Sequence, residues 1–169
     1  MKRSKVLLLT TKTPHHYFFI NELNKISNLT VVQENNTLKP KFKTSHFFEK
    51  KQHNYELSKW FKDLKLKLSQ KINVIEVKNI NHTKTINTIN SLRPKFVFSF
   101  GVSKINKKVI KSIKNKIYNF HGGDITLYRG LDSHLWSLYH KDLRGLKVTL
   151  HEVKEALDAG SILVLKKIK

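Results

Sequence analysis

The sequence predicts an α/β domain with a mostly parallel central sheet and flanking helices. Short apolar runs such as Val6 to Leu9 are typical of buried strands, and they alternate with segments whose apolar residues recur every three or four positions. Alternation of this kind favours parallel strands covered by helices. With 169 residues, the chain can form one domain with a hydrophobic core and is too short for a second substantial one.

Seven strands are predicted along the chain from their short apolar runs and the turn residues that bound them. The clearest run ends at Gly101. The predicted strands cover residues 5–10, 30–34, 73–77, 95–100, 117–120, 147–153 and 162–165.

Helices are predicted between the strands wherever apolar residues follow the helical period. These residues are Phe19, Ile20, Leu23 and Ile26; Leu57, Trp60, Phe61, Leu64 and Leu68; Ile86, Ile89 and Leu92; and Ile105, Val109 and Ile113. Pro94 should end the third of these helices. A last helix is predicted over 133–139, with Asp132 or Ser133 as its N-cap. Segment 35–54 is polar without a steady period and is predicted to be a loop.

The chain is strongly basic, with 33 Lys and Arg against 12 Asp and Glu and a formal net charge of +21. Such a charge would favour nucleic acid or another anionic partner. Only four of the basic residues are arginine, however, whereas phosphate-recognising surfaces use arginine forks as well as lysine. We therefore prefer the compositional bias of an AT-rich genome as the explanation and do not expect nucleic acid as a partner.

The absence of cysteine excludes disulfides, thiolate metal sites and a cysteine nucleophile. The apolar run after the basic N-terminus is too short for a signal peptide, and no segment approaches the roughly 20 apolar residues of a membrane span. We expect a cytoplasmic protein with no membrane association.

Three polar side chains in short motifs form the most informative feature. Asn119 and His121 lie in N-F-H-G-G directly after a predicted strand, and Asp158 lies in L-D-A-G. An amide, an imidazole and a carboxylate suit acyl transfer to an amine, because they can stabilise an oxyanion and move a proton. Each alone has an ordinary explanation: a strand-end histidine is usually a satisfied polar residue, and Asp before Ala-Gly is usually a turn residue.

The run N-F-H-G-G-D-I-T-L-Y-R-G-L-D-S-H-L-W, followed by V-T-L-H-E-V and L-D-A-G-S-I, resembles the catalytic domain of the N10-formyltetrahydrofolate-dependent formyltransferases. This family includes methionyl-tRNA, glycinamide ribonucleotide and nucleotide-sugar formyltransferases. The resemblance is strongest from Lys95 to Leu165. It implies a Rossmann-like fold and a single catalytic domain over 1–169, which we expect to be shortened at the C-terminus relative to the family.

The resemblance implies that Asn119, His121 and Asp158 are the catalytic residues. Asn119 would donate a hydrogen bond to the formyl oxygen, and Asp158 would favour the imidazolium form of His121. His121 would act as the base for the amine or as a second donor to the oxyanion, and the sequence leaves both roles open. His151 is expected to be a buried, hydrogen-bonded support.

The resemblance also implies a donor, N10-formyltetrahydrofolate, and no metal. The predicted cofactor-binding residues are Phe98, Phe100, Gly101, Val102 and Gly160. The predicted substrate-binding residues are His15, Tyr17, Gly122, Gly123, Tyr128, Arg129 and Asp132. His15 could meet nucleotide phosphates or cap a helix, and Arg129 is expected to brace its loop against a carboxylate rather than contact substrate.

Many family members have Pro-Ser or Pro-Gly where this chain has Gly122-Gly123. This departure and the residues after Gly130 are most similar to bacterial nucleotide-sugar N-formyltransferases such as GDP-perosamine N-formyltransferase. The implied acceptor is the amine of a nucleotide-linked amino sugar in surface polysaccharide biosynthesis. Two alternatives are a methionyl-tRNA formyltransferase-like enzyme and a catalytically incomplete basic binding module. The sugar, the nucleotide and a homodimeric state are left open.

Overall fold

A seven-stranded sheet with helices on both faces forms the protein in the computed structural model, which describes residues 3–35, 47–61, 65–68 and 72–168. The strand order is β3-β2-β1-β4-β5-β6-β7. The first five strands in this order pair in parallel, and β6 and β7 are antiparallel to their neighbours. The predicted α/β class with a mostly parallel sheet is therefore confirmed.

The strand predictions agree with the structure to within two residues at each end. The strands are β1 (Lys5–Thr10), β2 (Asn28–Glu34), β3 (Asn73–Val77), β4 (Phe96–Phe100), β5 (Ile117–His121), β6 (Lys147–Glu152) and β7 (Ile162–Lys167). The buried parallel strands are Val- and Leu-rich without alternation, as expected when both faces of a sheet are covered.

Five helices connect the strands in the described part of the chain. They are α1 (Pro14–Ile26), α2 (Phe47–Trp60), α3 (Thr83–Leu92), α4 (Lys107–Ser112) and α5 (Ser133–Tyr139), with a 3-10 turn at Leu143–Gly145. Pro14 begins α1, where its missing N–H is not needed. Arg93 ends α3 in the left-handed conformation before Pro94, as the sequence predicts for the end of this helix.

Two hydrophobic clusters hold the helices against opposite faces of the sheet. One cluster joins Leu7, Leu9 and Val97 to apolar residues of α3 and α4. The other joins Val6 and Leu8 to α1. Alternate residues of β1 thus point to opposite faces, as the two-residue period of a strand requires.

The prediction for the second helix was wrong. The sequence indicated a loop over 35–54 and a helix carrying Leu57 to Leu68, but α2 begins at Phe47 and ends at Trp60, and residues 65–68 are not helical. Residues 36–46 and Leu64 lie outside the described residues. The end of α2 packs against α1, where Trp60 stacks on Phe18 with ring centroids 5.0 Å apart. Among the described residues, no helix is both long and apolar enough to cross a membrane.

Candidate active site

The sheet brings Asn119, His121 and Asp158 together. Asn119 and His121 are two residues apart on β5, so their side chains lie on the same face. Asp158 lies in the loop between β6 and β7 with φ 48°, in the left-handed region that aspartate tolerates better than most residues. The site is at the carboxyl end of the parallel strands, where α/β folds bind ligands.

His121 and Asp158 form the centre of this site. The Nδ1 atom of His121 lies 3.7 Å from Oδ2 of Asp158, and their side chains are 9% and 6% exposed. This separation is too long for a direct hydrogen bond but short enough for strong electrostatic coupling in a buried site.

A row of cross-strand hydrogen bonds orients the Asn119 amide. The sheet register places Ser99 of β4 and His151 of β6 directly beside Asn119. The Ser99 hydroxyl donates to Oδ1 of Asn119 (2.9 Å), and Nδ2 donates to Nε2 of His151 (3.2 Å). One N–H of the Asn119 amide therefore remains for a ligand.

His151 supports both catalytic candidates on its strand side. It is 2% exposed, its Nδ1 donates to the Glu152 carbonyl (2.9 Å), and its Nε2 lies 3.4 Å from Oδ1 of Asp158. The expectation of a buried, hydrogen-bonded support is confirmed.

A turn at Gly130 contacts the site from the opposite side. The Gly130 N–H donates to Oδ2 of Asp158 (2.8 Å), and its carbonyl accepts the Ser133 hydroxyl (2.9 Å). Ser133 in turn lies 3.0 Å from Nε2 of His121. Gly130 has φ 89°, which explains a glycine at this position.

The surroundings of His121 and Asp158 lower the pKa values of both groups. Burial lowers the pKa of His121, an effect that outweighs the nearby Asp158 carboxylate. Burial alone would raise the pKa of Asp158, but the adjacent His151 imidazole and the Gly130 N–H, which donates to the carboxylate, lower it below its ordinary value. A neutral imidazole thus faces an ionised carboxylate.

These residues open onto a cavity of about 680 Å³, within the range of small-molecule sites. The predicted site residues that line it are Asn119, His121, Asp158, Phe100, Gly101, Val102, His15, Gly122 and Asp132. The cavity therefore joins members of all three predicted sets.

Phe98, Tyr17 and Gly160, three of the predicted binding residues, pack within the fold and do not line the cavity. Phe98 and Tyr17 pack against the hydrophobic cluster under α1 instead of lining the cavity. The family resemblance implied Phe98, and the first β–α turn implied Tyr17, but the Phe98 ring packs against Phe120 with centroids 5.5 Å apart. Gly160 lies against the Glu152 carbonyl so closely that a side chain would not fit.

Three further predicted residues, Gly123, Tyr128 and Arg129, do not line the cavity. They make contacts within the segment that follows β5. Gly123 packs against Ser133, and the Tyr128 ring stacks on His140 with centroids 6.1 Å apart. Arg129 Nε donates to the Ile125 carbonyl (3.0 Å), so Arg129 braces the loop through a backbone carbonyl where a carboxylate was expected.

Sequence reasoning missed an acidic group of the cavity. Oε2 of Glu56 lies 2.9 Å from Nδ1 of His15, and Oε1 accepts from Gln52 Nε2 (2.9 Å). The four-residue spacing of Gln52 and Glu56 would place both side chains on one face of a helix. The sequence instead predicts a loop over 35–54, which includes Gln52. Other lining residues absent from the prediction include Thr11, Thr13, His16, Lys104, Ser133 and His134.

Comparisons with known proteins agree with the motif. No family model matches the chain. Over 100 residues, or 58% of the chain, it is 34% identical to methionyl-tRNA formyltransferase of Finegoldia magna. The formyltransferase resemblance is confirmed. Over 112 residues, or 65% of the chain, it is also 37% identical to the bifunctional polymyxin resistance protein ArnA of Wigglesworthia glossinidia brevipalpis.

Solved formyltransferases share the fold. Protein Rv3404c of Mycobacterium tuberculosis, inferred to be a sugar N-formyltransferase, superposes on 98% of the chain with a TM-score of 0.60 and 17% identity. Phosphoribosylglycinamide formyltransferase of Bacillus halodurans superposes on 98% with a TM-score of 0.62 and 12% identity. The chain covers 55% and 81% of these two proteins.

The matched segments span only part of the sequence relatives, 17% of ArnA and 32% of the Finegoldia enzyme. Within the described residues, no group of three or more His, Cys, Asp or Glu is arranged to hold a metal ion.

Proposed function

We propose that this chain transfers a formyl group from N10-formyltetrahydrofolate to the amine of a nucleotide-linked amino sugar, in the synthesis of surface polysaccharide. The observation that carries the proposal is the convergence of Asn119, His121 and Asp158 on one cavity. An amide donor, a neutral imidazole and a carboxylate are the groups that a direct acyl transfer to an amine requires.

In this reaction the acceptor amine attacks the formyl carbon and loses a proton, negative charge develops on the formyl oxygen, and the bond from the formyl carbon to N10 then breaks to release tetrahydrofolate. The free N–H of Asn119 is available to that oxygen, because Ser99 and His151 hold the amide in place. His121 is neutral and able to take the proton, and the ionised Asp158 stabilises the resulting imidazolium.

The donor fits the end of β4. Phe100, Gly101 and Val102 line the cavity beside Asn119, and a flat heterocycle can use both their apolar side chains and their backbone groups. Gly101 lets this segment lie directly against the His16 imidazole of α1. This segment therefore remains the proposed folate site.

The other end of the cavity favours a sugar acceptor. His15, Gln52 and Glu56 present an imidazole, an amide and a carboxylate, which suit the hydroxyl groups of a sugar. The Glu56 carboxylate would repel a phosphate, so His15 is better matched to hydroxyls than to the nucleotide phosphates. The sugar N-formyltransferase among the structural neighbours is consistent with this choice.

Methionyl-tRNA is the second candidate acceptor. The net charge of +21 and the 34% identity to a methionyl-tRNA formyltransferase favour it. Aminoacylated initiator tRNA therefore belongs in the acceptor panel.

The test is tetrahydrofolate release from N10-formyltetrahydrofolate by the purified protein, with a panel of nucleotide-linked amino sugars and the charged tRNA. Release that depends on an amino sugar, is lost in His121→Gln and is kept in His53→Gln supports the proposal, because His53 is exposed on α2. Release with the tRNA alone would favour the second candidate. No release from the folded protein would favour a catalytically incomplete binding module.

A further inference from the structure

Ser133 is buried against the imidazole of His121 and has a single hydroxyl proton to donate. Its Oγ lies 2.9 Å from the Gly130 carbonyl and 3.0 Å from Nε2 of His121, and the residue is 1% exposed. A carbonyl oxygen can only accept, so the hydroxyl proton belongs to the Gly130 contact. With its proton in that contact, the Ser133 oxygen is the natural acceptor for an Nε2–H of His121.

This assignment fixes the tautomer of the neutral ring. With its proton on Nε2, His121 presents the lone pair of Nδ1 towards Oδ2 of Asp158, 3.7 Å away. The other groups that act on the ring are the imidazoles of His151 and His134 and the backbone of Tyr128. The repulsion between the Nδ1 lone pair and the carboxylate is relieved when Nδ1 gains a proton.

We propose that Ser133 is a positioning residue that keeps the proton of neutral His121 on Nε2, so that Nδ1 is the atom that accepts the proton of the acceptor amine. The inference rests on the proposed formyl transfer for its catalytic meaning. An N–H bond of the amine breaks, its electron pair stays on nitrogen, and an Nδ1–H bond forms. The imidazolium then pairs with Asp158 and can return that proton to N10 of the departing tetrahydrofolate.

The same turn sets both partners of the ring. Gly130 accepts from Ser133 through its carbonyl and donates to Asp158 through its N–H (2.8 Å). One residue, Gly130, therefore positions the group on each side of the ring: Ser133 beside Nε2 and Asp158 beside Nδ1. This arrangement assigns the resting His121 the role of base, since a neutral ring with this tautomer has no N–H to offer an oxyanion on its Nδ1 side.

Nitrogen-15 NMR of His121 in the free protein tests the tautomer without any substrate. At neutral pH we expect the shift of a protonated nitrogen at Nε2 and of an unprotonated nitrogen at Nδ1. A proton on Nδ1, or an equal mixture of the two tautomers, would overturn the proposal whether or not the chain transfers formyl groups.

Two serine variants on the same helix separate positioning from general stability. Ser133→Ala should populate both tautomers and lower kcat about tenfold, the effect of losing one buried hydrogen bond, with a smaller change in KM. Ser137→Ala is the matched control, because Ser137 is fully buried one turn later and donates to the Asp142 carbonyl. An unchanged His121 spectrum in Ser133→Ala, or the same spectral change in Ser137→Ala, would contradict the assignment.

Discussion

The orientation of the Asn119 amide depends on two neighbours that are far away in sequence. Ser99 lies outside the N-F-H-G-G motif. The register of β4 and β5 nevertheless puts its hydroxyl 2.9 Å from Oδ1 of Asn119. His151 fixes the other end of the amide from β6. A donor that is already aligned needs little reorganisation when charge develops on the formyl oxygen.

Replacing Asn119 with Ala should therefore lower kcat by about 10² to 10³, the usual effect of removing one oxyanion donor. Steady-state kinetics with donor and acceptor measure the change. Asn115→Ala is the control, because Asn115 is exposed and donates to the Pro94 and Lys95 carbonyls outside the cavity. Equal losses in both variants would exclude a specific role for the Asn119 amide.

The motif residues were predictable from sequence, whereas their supports were not. Asn119, His121 and Asp158 stand in short patterns that can be recognised in one dimension. The partners Ser99 and Ser133 are single hydroxyl residues, and only strand register and the Gly130 turn bring them within hydrogen-bonding distance. The sequence indicates only a possible N-cap role for Ser133.

At the scale of elements, the end of β4 and the start of α1 depend on each other. Gly101 has φ 68°, and a side chain on it would collide with the imidazole of His16 on α1. His16 packs tilted against Phe100 with ring centroids 4.4 Å apart. The glycine therefore permits α1 to lie close to the proposed folate segment.

Gly101→Ala should lower the free energy of unfolding by roughly 2 kcal/mol or more, since the left-handed conformation alone costs roughly 1–2 kcal/mol for a residue with a Cβ. Urea unfolding measures this difference. Gly122→Ala is the control, because its Cβ would meet nothing nearer than His134 at 3.7 Å. Adding His16→Ala to Gly101→Ala should recover the steric part of the loss, and no recovery would refute the proposed collision.

Element prediction succeeded where the local pattern and the tertiary environment agree. The bounds of β1, β3 and α5 follow directly from apolar runs and caps in the sequence. The position of α2 does not, because its polar residues are held by contacts with α1, including the pair of Glu56 and His15 at 2.9 Å. Such contacts have no periodic signature in sequence.

At the scale of the whole molecule, a buried neutral histidine links stability to pH. His16 is 4% exposed, and burial, with the nearby His15, lowers its pKa well below the ordinary value of 6.5. Above about pH 6.5 the ring is neutral in both folded and unfolded chains. Below that pH the unfolded chain binds a proton that the folded chain refuses, so stability falls.

The free energy of unfolding should consequently fall between pH 6.5 and 5.5, with His16 contributing up to about 1.4 kcal/mol per pH unit. His121, whose pKa is lowered less, adds to the same trend. Urea unfolding of His16→Asn across this range should show a shallower slope. The exposed His53→Asn should retain the wild-type slope, and a wild-type slope in His16→Asn would contradict the explanation.

The proposed function depends on the transfer of a formyl group from folate to an amine within one cavity. The most direct measurement uses N10-formyltetrahydrofolate labelled with carbon-13 in the formyl group and follows that carbon by NMR with a nucleotide-linked amino sugar. We expect the label to appear as an N-formyl group on the sugar, and we expect Asn119→Ala and His121→Gln to suppress it. Label found only in free formate, or unmoved on the donor with folded protein and every acceptor, would contradict the account.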